Sequence, residues 1–105
     1  MVKRRKYVLG RITAEKIKQL DNPHLHIWHL ATGRFALVLR NDECYWSPHG
    51  DYGQRDCRNW NDLIAYCRRV QQMGLDPSRF HMHGSMTWKD NDLSRELGVS
   101  VIGDR

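Results

Sequence analysis

The sequence of 105 residues lacks the features that mark secreted and membrane proteins. Its three cysteines are an odd number without C-x-x-C spacing, which argues against a disulfide framework. No apolar run approaches the roughly 18 residues of a membrane span. The basic start is also not followed by the apolar stretch of a signal peptide. We therefore expect a reduced, cytoplasmic protein without a membrane partner.

The composition predicts one ordered domain. Apolar residues make up 40% of the chain and charged residues 28%, which is typical of a globular protein and not of a disordered one. A chain of this length can also bury a hydrophobic core. We expect a basic N-terminal arm over residues 1–6 and a single α+β domain over residues 7–105.

The net charge of +5 is concentrated at the start of the chain. Residues 1–18 hold seven Lys and Arg against one Glu, a net charge of +6, so the remainder is close to neutral at −1. Such an arm can neutralise nucleic-acid phosphates, or it can merely keep the terminus in solution. Its candidate binding residues are Lys3, Arg4, Arg5 and Lys6.

The hydrophobic pattern predicts a small α+β fold. A three-stranded antiparallel meander is expected over about residues 24–47, and a long amphipathic helix over about 60–73 packs against it. Residues 48–58, with two glycines and a proline, are predicted to form a surface loop. Short helices near both ends and possible edge strands complete the fold; we place them at 13–20 and 90–98, and at 7–10 and 99–102.

Turn length decides which meander residues share a face of the sheet. A two-residue turn at 32–33 would place Trp28 on the face that the long helix covers. Leu25 and Ile27 would then lie on the opposite face, which is also apolar and needs a cover. This second apolar face favours contact with a protein partner or formation of a homodimer.

Four of the six histidines form two close pairs, His24 with His26 in "HLHIWH" and His81 with His83 in "FHMH". Residues two apart in a strand point to the same side, so His24 and His26 could offer their imidazoles to one divalent metal ion. His81 and His83 have the same spacing but lie in a segment rich in turn residues. A joint site of all four is geometrically conceivable. The alternative is a set of exposed or hydrogen-bonded histidines without a metal.

Two known motifs resemble these histidines. His24, His26 and His29 are spaced similarly to the H-x-H-x-D-H signature of the metallo-β-lactamase superfamily, with Trp28 in the acidic position. "HLH" after Asn-Pro resembles the motif of HUH endonucleases, in which two histidines hold a metal on the scissile phosphate and a tyrosine on a later helix attacks. That resemblance implies a metal-dependent nuclease with Tyr66 as the nucleophile.

The predicted loop between the meander and the long helix carries side chains suited to recognition. Loops at the ends of regular elements are frequent binding sites. The candidate binding residues of the loop are His49, Tyr52, Arg55 and Arg58.

Trp88, later in the chain, lacks an apolar context, and we expect this tryptophan to act at the surface.

No complete catalytic set stands out, since G-x-S-x-G, P-loop and H-E-x-x-H motifs are all missing from the sequence. We therefore expect a non-enzymatic binding module of the adaptor or inhibitor type, without a cofactor. It would contact a protein partner or an acidic surface, helped by the basic arm. Nucleic-acid binding is the first alternative, and a metal-dependent nuclease using His24, His26 and Tyr66 is the second.

Overall fold

The computed structural model describes residues 10–42, 51–83, 89–98 and 102–103. These residues form a small α+β domain in which one sheet packs against a longer helix, as the sequence predicts. Residues 7–9 of the strand predicted over 7–10 lie outside the described residues, as does the first part of the predicted final strand. The elements follow in the order α1 (Ala14–Gln19), β1 (His24–His29), β2 (Phe35–Arg40), β3 (Asp51–Cys57), α2 (Trp60–Gln72), β4 (Phe80–His83), α3 (Lys89–Leu97) and β5 (Ile102–Gly103).

The five described strands form one mixed sheet in the order β3-β2-β1-β4-β5. The meander of β1, β2 and β3 is antiparallel, as predicted. Beyond it, β4 pairs in parallel with β1, and β5 pairs in parallel with β4. Strand β1 is therefore central, with the meander on one side and the later strands on the other. Strands β3 and β4 run in the same direction, and parallel strands need a crossover connection. The helix α2 makes this connection, from β3 at one edge of the sheet to β4 beside β1.

The third strand of the meander lies later in the chain than predicted. The predicted position includes residues 43–47, which lie outside the described residues, whereas β3 occupies the segment predicted as a loop. Its polar side chains suit the edge of the described sheet, because Gln54 and Asp56 are exposed while Cys57 is buried. An edge strand of this kind shows little hydrophobic alternation, which explains why the sequence resembles a loop.

The turn between β1 and β2 is one residue longer than predicted. The N–H of Leu30 donates to the carbonyl oxygen of Arg34 at 2.9 Å, so three residues, 31–33, form the turn. Gly33 has φ +89°, a left-handed conformation that glycine adopts without steric cost and that is common at the end of such turns. The extra residue shifts β1 by one position against β2, so its side chains exchange faces relative to the prediction.

The hydrophobic core consequently lies on the face of Leu25 and Ile27, and the predicted placement of Trp28 on the helix-covered face is wrong. Trp28 is half-buried on the opposite face. The helix α2 covers the core face, where the ring of Trp60 packs against Phe35 with centroids 5.9 Å apart. The buried core of the sheet and α2 includes Leu25, Ile27, Phe35, Leu37, Leu39, Leu63, Cys67 and Val70.

The long helix begins and ends where the sequence predicts, with Asn59 or Asn61 as the expected cap at its start and Gly74 as the expected residue beyond its end. The side chain of Asn59 accepts a hydrogen bond from the N–H of Asp62 at 2.9 Å, which caps the first turn. At the other end Gly74 adopts φ +110°, and the N–H of Leu75 donates to the carbonyl oxygen of Val70 at 3.3 Å. These contacts satisfy backbone groups that a helix end leaves unpaired.

The turn-rich stretch "DPSRFHMHG", residues 76–84, predicts a turn with one helical coil, but strand β4 forms within it. The coil is present as a 3₁₀ turn over Pro77–Arg79, but the next four residues are a strand beside β1. Phe80 and Met82 are buried in the core, so their burial against β1 supports a strand too short to show a period. Among the described helices none is both long and apolar enough to cross a membrane.

Replacing Asn59 with Ala is expected to lower the free energy of unfolding by about 1 kcal/mol, because the helix loses its cap. Asn61, which is exposed and lies two residues later in the first turn of the helix, provides the matched control. Asn61→Ala should change the free energy by less than about 0.5 kcal/mol. Urea denaturation followed by circular dichroism measures both values, and equal losses would contradict the assignment of the cap.

Candidate functional site

The four paired histidines lie together on the sheet face opposite α2. Strands β1 and β4 pair with His26 opposite His81, so alternate residues of both strands share this face. Ring centroids follow a zigzag across the two strands: His24 to His81 at 4.8 Å, His81 to His26 at 4.6 Å and His26 to His83 at 5.0 Å. We call these four side chains the histidine ladder. Three of its members are almost inaccessible to solvent: the exposed fractions of His24, His26 and His81 are 5%, 0% and 7%.

Two hydrogen bonds between imidazoles join the strands within the histidine ladder. His24 Nδ1 lies 2.8 Å from His81 Nε2, and His26 Nδ1 lies 2.7 Å from His83 Nε2. His26 Nε2 lies 2.9 Å from the backbone carbonyl oxygen of Asp42, which can only accept. Neutral His26 therefore carries its proton on Nε2 and accepts at Nδ1 from the Nε2–H of His83. The resulting direction of donation runs from His83 through His26 to Asp42.

The other end of the histidine ladder meets a cation. His24 Nε2 lies 3.1 Å from Asn22 Oδ1 and 3.1 Å from Arg79 Nη1. Arg79 Nη1 also donates to Asn22 Oδ1 at 2.7 Å, which fixes the guanidinium beside the ring. A proton added to His24 would therefore face a positive charge.

Burial lowers the pKa of His26 from 6.5 to about 4, since the charged form loses its hydration inside the protein. Positive charge on His83, His24 and Arg40 acts in the same direction. The hydrogen bond to the Asp42 carbonyl acts in the opposite direction but is the weaker influence. His26 is therefore neutral at physiological pH.

The nitrogen spacing in the histidine ladder is that of hydrogen bonds. Two ligands of one tetrahedral zinc ion would stand roughly 3.3 Å apart. The rings of His26 and His81 are also stacked at 15°, so their in-plane lone pairs do not converge on one point. The described residues contain no group of three or more His, Cys, Asp or Glu arranged to hold a metal ion. The divalent metal stays a prediction from the sequence, to which this geometry adds no support.

The side chains of the two resembled motifs are divided between the two faces of the sheet. His29 lies on the core side, where its ring stacks on Phe35 at 4.6 Å, away from His24 and His26. Tyr66 is buried on α2 beneath the guanidinium of Arg55, whose carbon lies 4.6 Å from the ring centroid. The sheet thus stands between the tyrosine and the imidazole pair, whereas the nuclease mechanism needs them at one phosphate.

A separate cleft of about 660 Å³ lies between the segment leading into α1, strand β3 and helix α2. Three arginines line it, Arg11, Arg55 and Arg69, one from each of these parts of the chain. We call it the arginine cleft. Its lining contains no acidic residue; the remaining lining residues are Ile12, Thr13, Ala14, Gln54, Tyr66 and Met73.

A close backbone approach forms one wall of the arginine cleft. The N–H of Gln54 donates to the carbonyl oxygen of Gly10 at 3.0 Å, which holds the lead-in to α1 against β3. A Cβ atom on Gly53 would lie 3.0 Å from both the Arg11 carbonyl oxygen and Ile12 Cγ1. Glycine at this position lets the two segments meet, and both segments contribute an arginine to the cleft lining.

The candidate residues of the predicted loop are placed differently from one another. Tyr52 is exposed on β3. Arg55 and Arg58 both reach Asp62, with nitrogen to oxygen distances of 3.8 Å and 3.7 Å. Of the three, only Arg55 lines the arginine cleft. The other predicted binding residues lie outside the described residues: Lys3, Arg4, Arg5, Lys6, His49 and Trp88.

The sequence does not single out Arg11, Gln54 and Arg69 as site residues. Arg11 belongs to the basic start and Arg69 to the outward face of the predicted helix, so each has a sequence signal of its own. Nothing in the sequence brings them together, because they come from segments that meet only through the packing of α1, β3 and α2.

Comparison with known proteins finds no family model, no curated protein and no solved structure that matches the chain. The functional argument therefore depends on the geometry of the arginine cleft and of the histidine ladder.

The stability of the protein is expected to fall with acidification because the folded pKa of His26 is depressed. Above pH 6.5 both folded and unfolded states hold His26 neutral, and its contribution is fully present. Below that pH the unfolded chain takes up the proton first, so the contribution falls by about 3 kcal/mol as the pH approaches 4. Urea denaturation across this range measures the loss.

Two glutamine variants separate His26 from the other titrating groups. His26→Gln should flatten the dependence of the unfolding free energy on pH between 6.5 and 4. His29→Gln, which removes a histidine from the other face of the sheet, is the matched control. Equal slopes for the native protein and His26→Gln would contradict the assignment.

Proposed function

We propose that the protein is a non-enzymatic binding module for nucleic acid that holds the phosphate backbone in the arginine cleft. The observation that carries the proposal is the lining of the cleft, where three arginines converge without a carboxylate among the lining residues. Such a cleft attracts anions, and arginine offers two parallel N–H donors to one phosphate.

Arg55 is held ready for such a contact. Its guanidinium lies over the ring of Tyr66, with 4.6 Å between the guanidinium carbon and the ring centroid, and 3.8 Å from an Asp62 oxygen. These contacts fix a long side chain in advance, which reduces the entropy lost when a ligand binds. Arg11 lines the same cleft from the segment leading into α1 and Arg69 lines it from α2, so the donors come from separate parts of the chain.

The basic arm can extend the same surface. Lys6 is five residues before Arg11 in the sequence. The arm contributes most of the excess positive charge of the sequence, which supports one continuous contact with a polyanion.

The sequence argument for contact with a protein partner depends on a second apolar sheet face bearing Leu25 and Ile27. Both residues are buried in the core, so this face is not available for such a contact. Among the described residues the exposed large hydrophobic side chains are Leu30 and Tyr52, which do not make an extended apolar patch. An acidic protein surface remains the competing ligand of the arginine cleft.

Replacing Arg11 or Arg69 with Ala is expected to weaken binding of a labelled oligonucleotide about 3- to 10-fold and to reduce the slope of log K against log salt by about 1. Fluorescence anisotropy between about 50 and 200 mM salt measures both quantities. Arg34→Ala, at the exposed β1–β2 turn, removes the same charge outside the cleft and is the matched control.

Competition in the same anisotropy assay distinguishes nucleic acid from an acidic protein as the ligand. Polyglutamate should compete poorly with DNA or RNA if arginine geometry matters and not charge alone. Equal competition by polyglutamate would favour an acidic protein partner. The proposal fails if no oligonucleotide binds, or if Arg34→Ala weakens binding as much as the cleft variants.

A further inference from the structure

The arginine cleft combines positive charge with apolar surface. Four of its lining side chains are apolar or aromatic: Ile12, Ala14, Tyr66 and Met73. Ile12 and Tyr66 are buried in the core, whereas Ala14 and Met73 are half-buried and keep part of their carbon surface accessible. A phosphate needs only N–H donors and positive charge. The apolar part of the lining therefore suits a different part of a nucleic-acid ligand.

The three arginines of the cleft differ in their ion pairs. A guanidinium nitrogen of Arg55 lies 3.8 Å from a carboxylate oxygen of Asp62, so the charge of Arg55 is partly compensated. Within the part of the chain that the structure describes, neither Arg11 nor Arg69 forms an ion pair. The charge that attracts a phosphate into the cleft comes mainly from these two arginines.

Arg55 adds a planar surface to the cleft. Its guanidinium carbon lies 4.6 Å from the centroid of the Tyr66 ring, so one face of the guanidinium covers the tyrosine. The other face is turned away from the ring, and 41% of the Arg55 side chain is exposed. Nucleobases stack on guanidinium planes as they do on aromatic rings. A base in the cleft would complete a stack of tyrosine, arginine and base.

Such a stack requires an unpaired base. In a duplex each base is stacked between its neighbours, and proteins reach only the base edges in the grooves. In a single strand the bases can turn outward and stack on protein side chains. A planar surface beside two uncompensated arginines is therefore suited to a single strand.

We propose that the arginine cleft selects single-stranded nucleic acid, with a phosphate bound by Arg11 and Arg69 and the adjacent base stacked on Arg55. This inference rests on the proposed function, because it specifies the form of nucleic acid that the cleft takes. Charge alone favours the opposite choice, since a duplex releases more counterions per neutralised phosphate than a single strand does. A preference for the single strand therefore reports the stacking surface and not the charge.

Fluorescence anisotropy of the full chain with three labelled probes at one salt concentration tests the selection. The probes are a single strand of about 12 nucleotides, its blunt-ended duplex, and a strand of the same length built of abasic residues. The single strand should bind at least about tenfold more tightly than the duplex and at least about fivefold more tightly than the abasic strand.

The probes distinguish failure of the selection from failure of the proposed function. A duplex or an abasic strand bound as tightly as the single strand would overturn the selection and leave phosphate binding in the cleft intact. Absence of binding to all three probes would overturn both.

Arg55→Lys separates the plane of the side chain from its charge. Lysine keeps a positive charge beside Asp62 but has no planar group to stack on a base. The variant should lose at least about fivefold in affinity for the single strand and bind the abasic strand as the native protein does. Arg58→Lys makes the same exchange at the other arginine that faces Asp62, at 3.7 Å and outside the cleft lining, and is the matched control.

Equal losses for Arg55→Lys and Arg58→Lys would overturn the assignment of the stacking surface. So would a loss by Arg55→Lys that is the same for the intact and abasic strands. The comparison of the three probes uses the native protein, so it decides the selection even if Arg55→Lys fails to fold.

Discussion

The pairing of β1 on both of its edges is the constraint on which the rest of the structure depends. Its register with β2 directs Leu25 and Ile27 into the core and His24 and His26 to the opposite face. Its parallel register with β4 then brings a second set of histidines alongside the first. A shift of one residue in either pairing would exchange the two faces, placing imidazoles in the apolar core and breaking up the ladder.

Burying four imidazoles is costly unless their nitrogens find partners. The histidine ladder meets this cost by pairing rings with one another and by ending at Asp42 on one side and at Asn22 and Arg79 on the other. Each bond is directional, so the arrangement depends on protonation in a way that a packed apolar face would not.

The two candidate sites lie on opposite faces of one sheet. The arginine cleft is built where β3 meets α1 and α2, and Gly53 permits the close approach that forms its wall. The histidine ladder lies two strands away, across β2, at the centre of the sheet. Because the two sites share no residue, binding and the dependence of stability on pH can be tested by different substitutions.

Local features of the fold could be predicted from the sequence, whereas features that depend on distant segments could not. The helix α2 and its ends follow from apolar periodicity, the Asn59 cap and Gly74, all of which act within a few residues. The position of β3 and the existence of β4 could not be predicted, because an edge strand and a four-residue strand carry no clear period. The pairing of histidines depends on a turn length and on a parallel register that joins residues 57 apart in sequence.

Nuclear magnetic resonance of the protein labelled with ¹⁵N-histidine tests the central claim most directly. The histidine ladder predicts that at neutral pH His26 carries its proton on Nε2, with a scalar coupling between its Nδ1 and Nε2 of His83 across the hydrogen bond. A His26 proton on Nδ1, or no coupling between these two nitrogens, would contradict the register and with it the account of the histidine ladder.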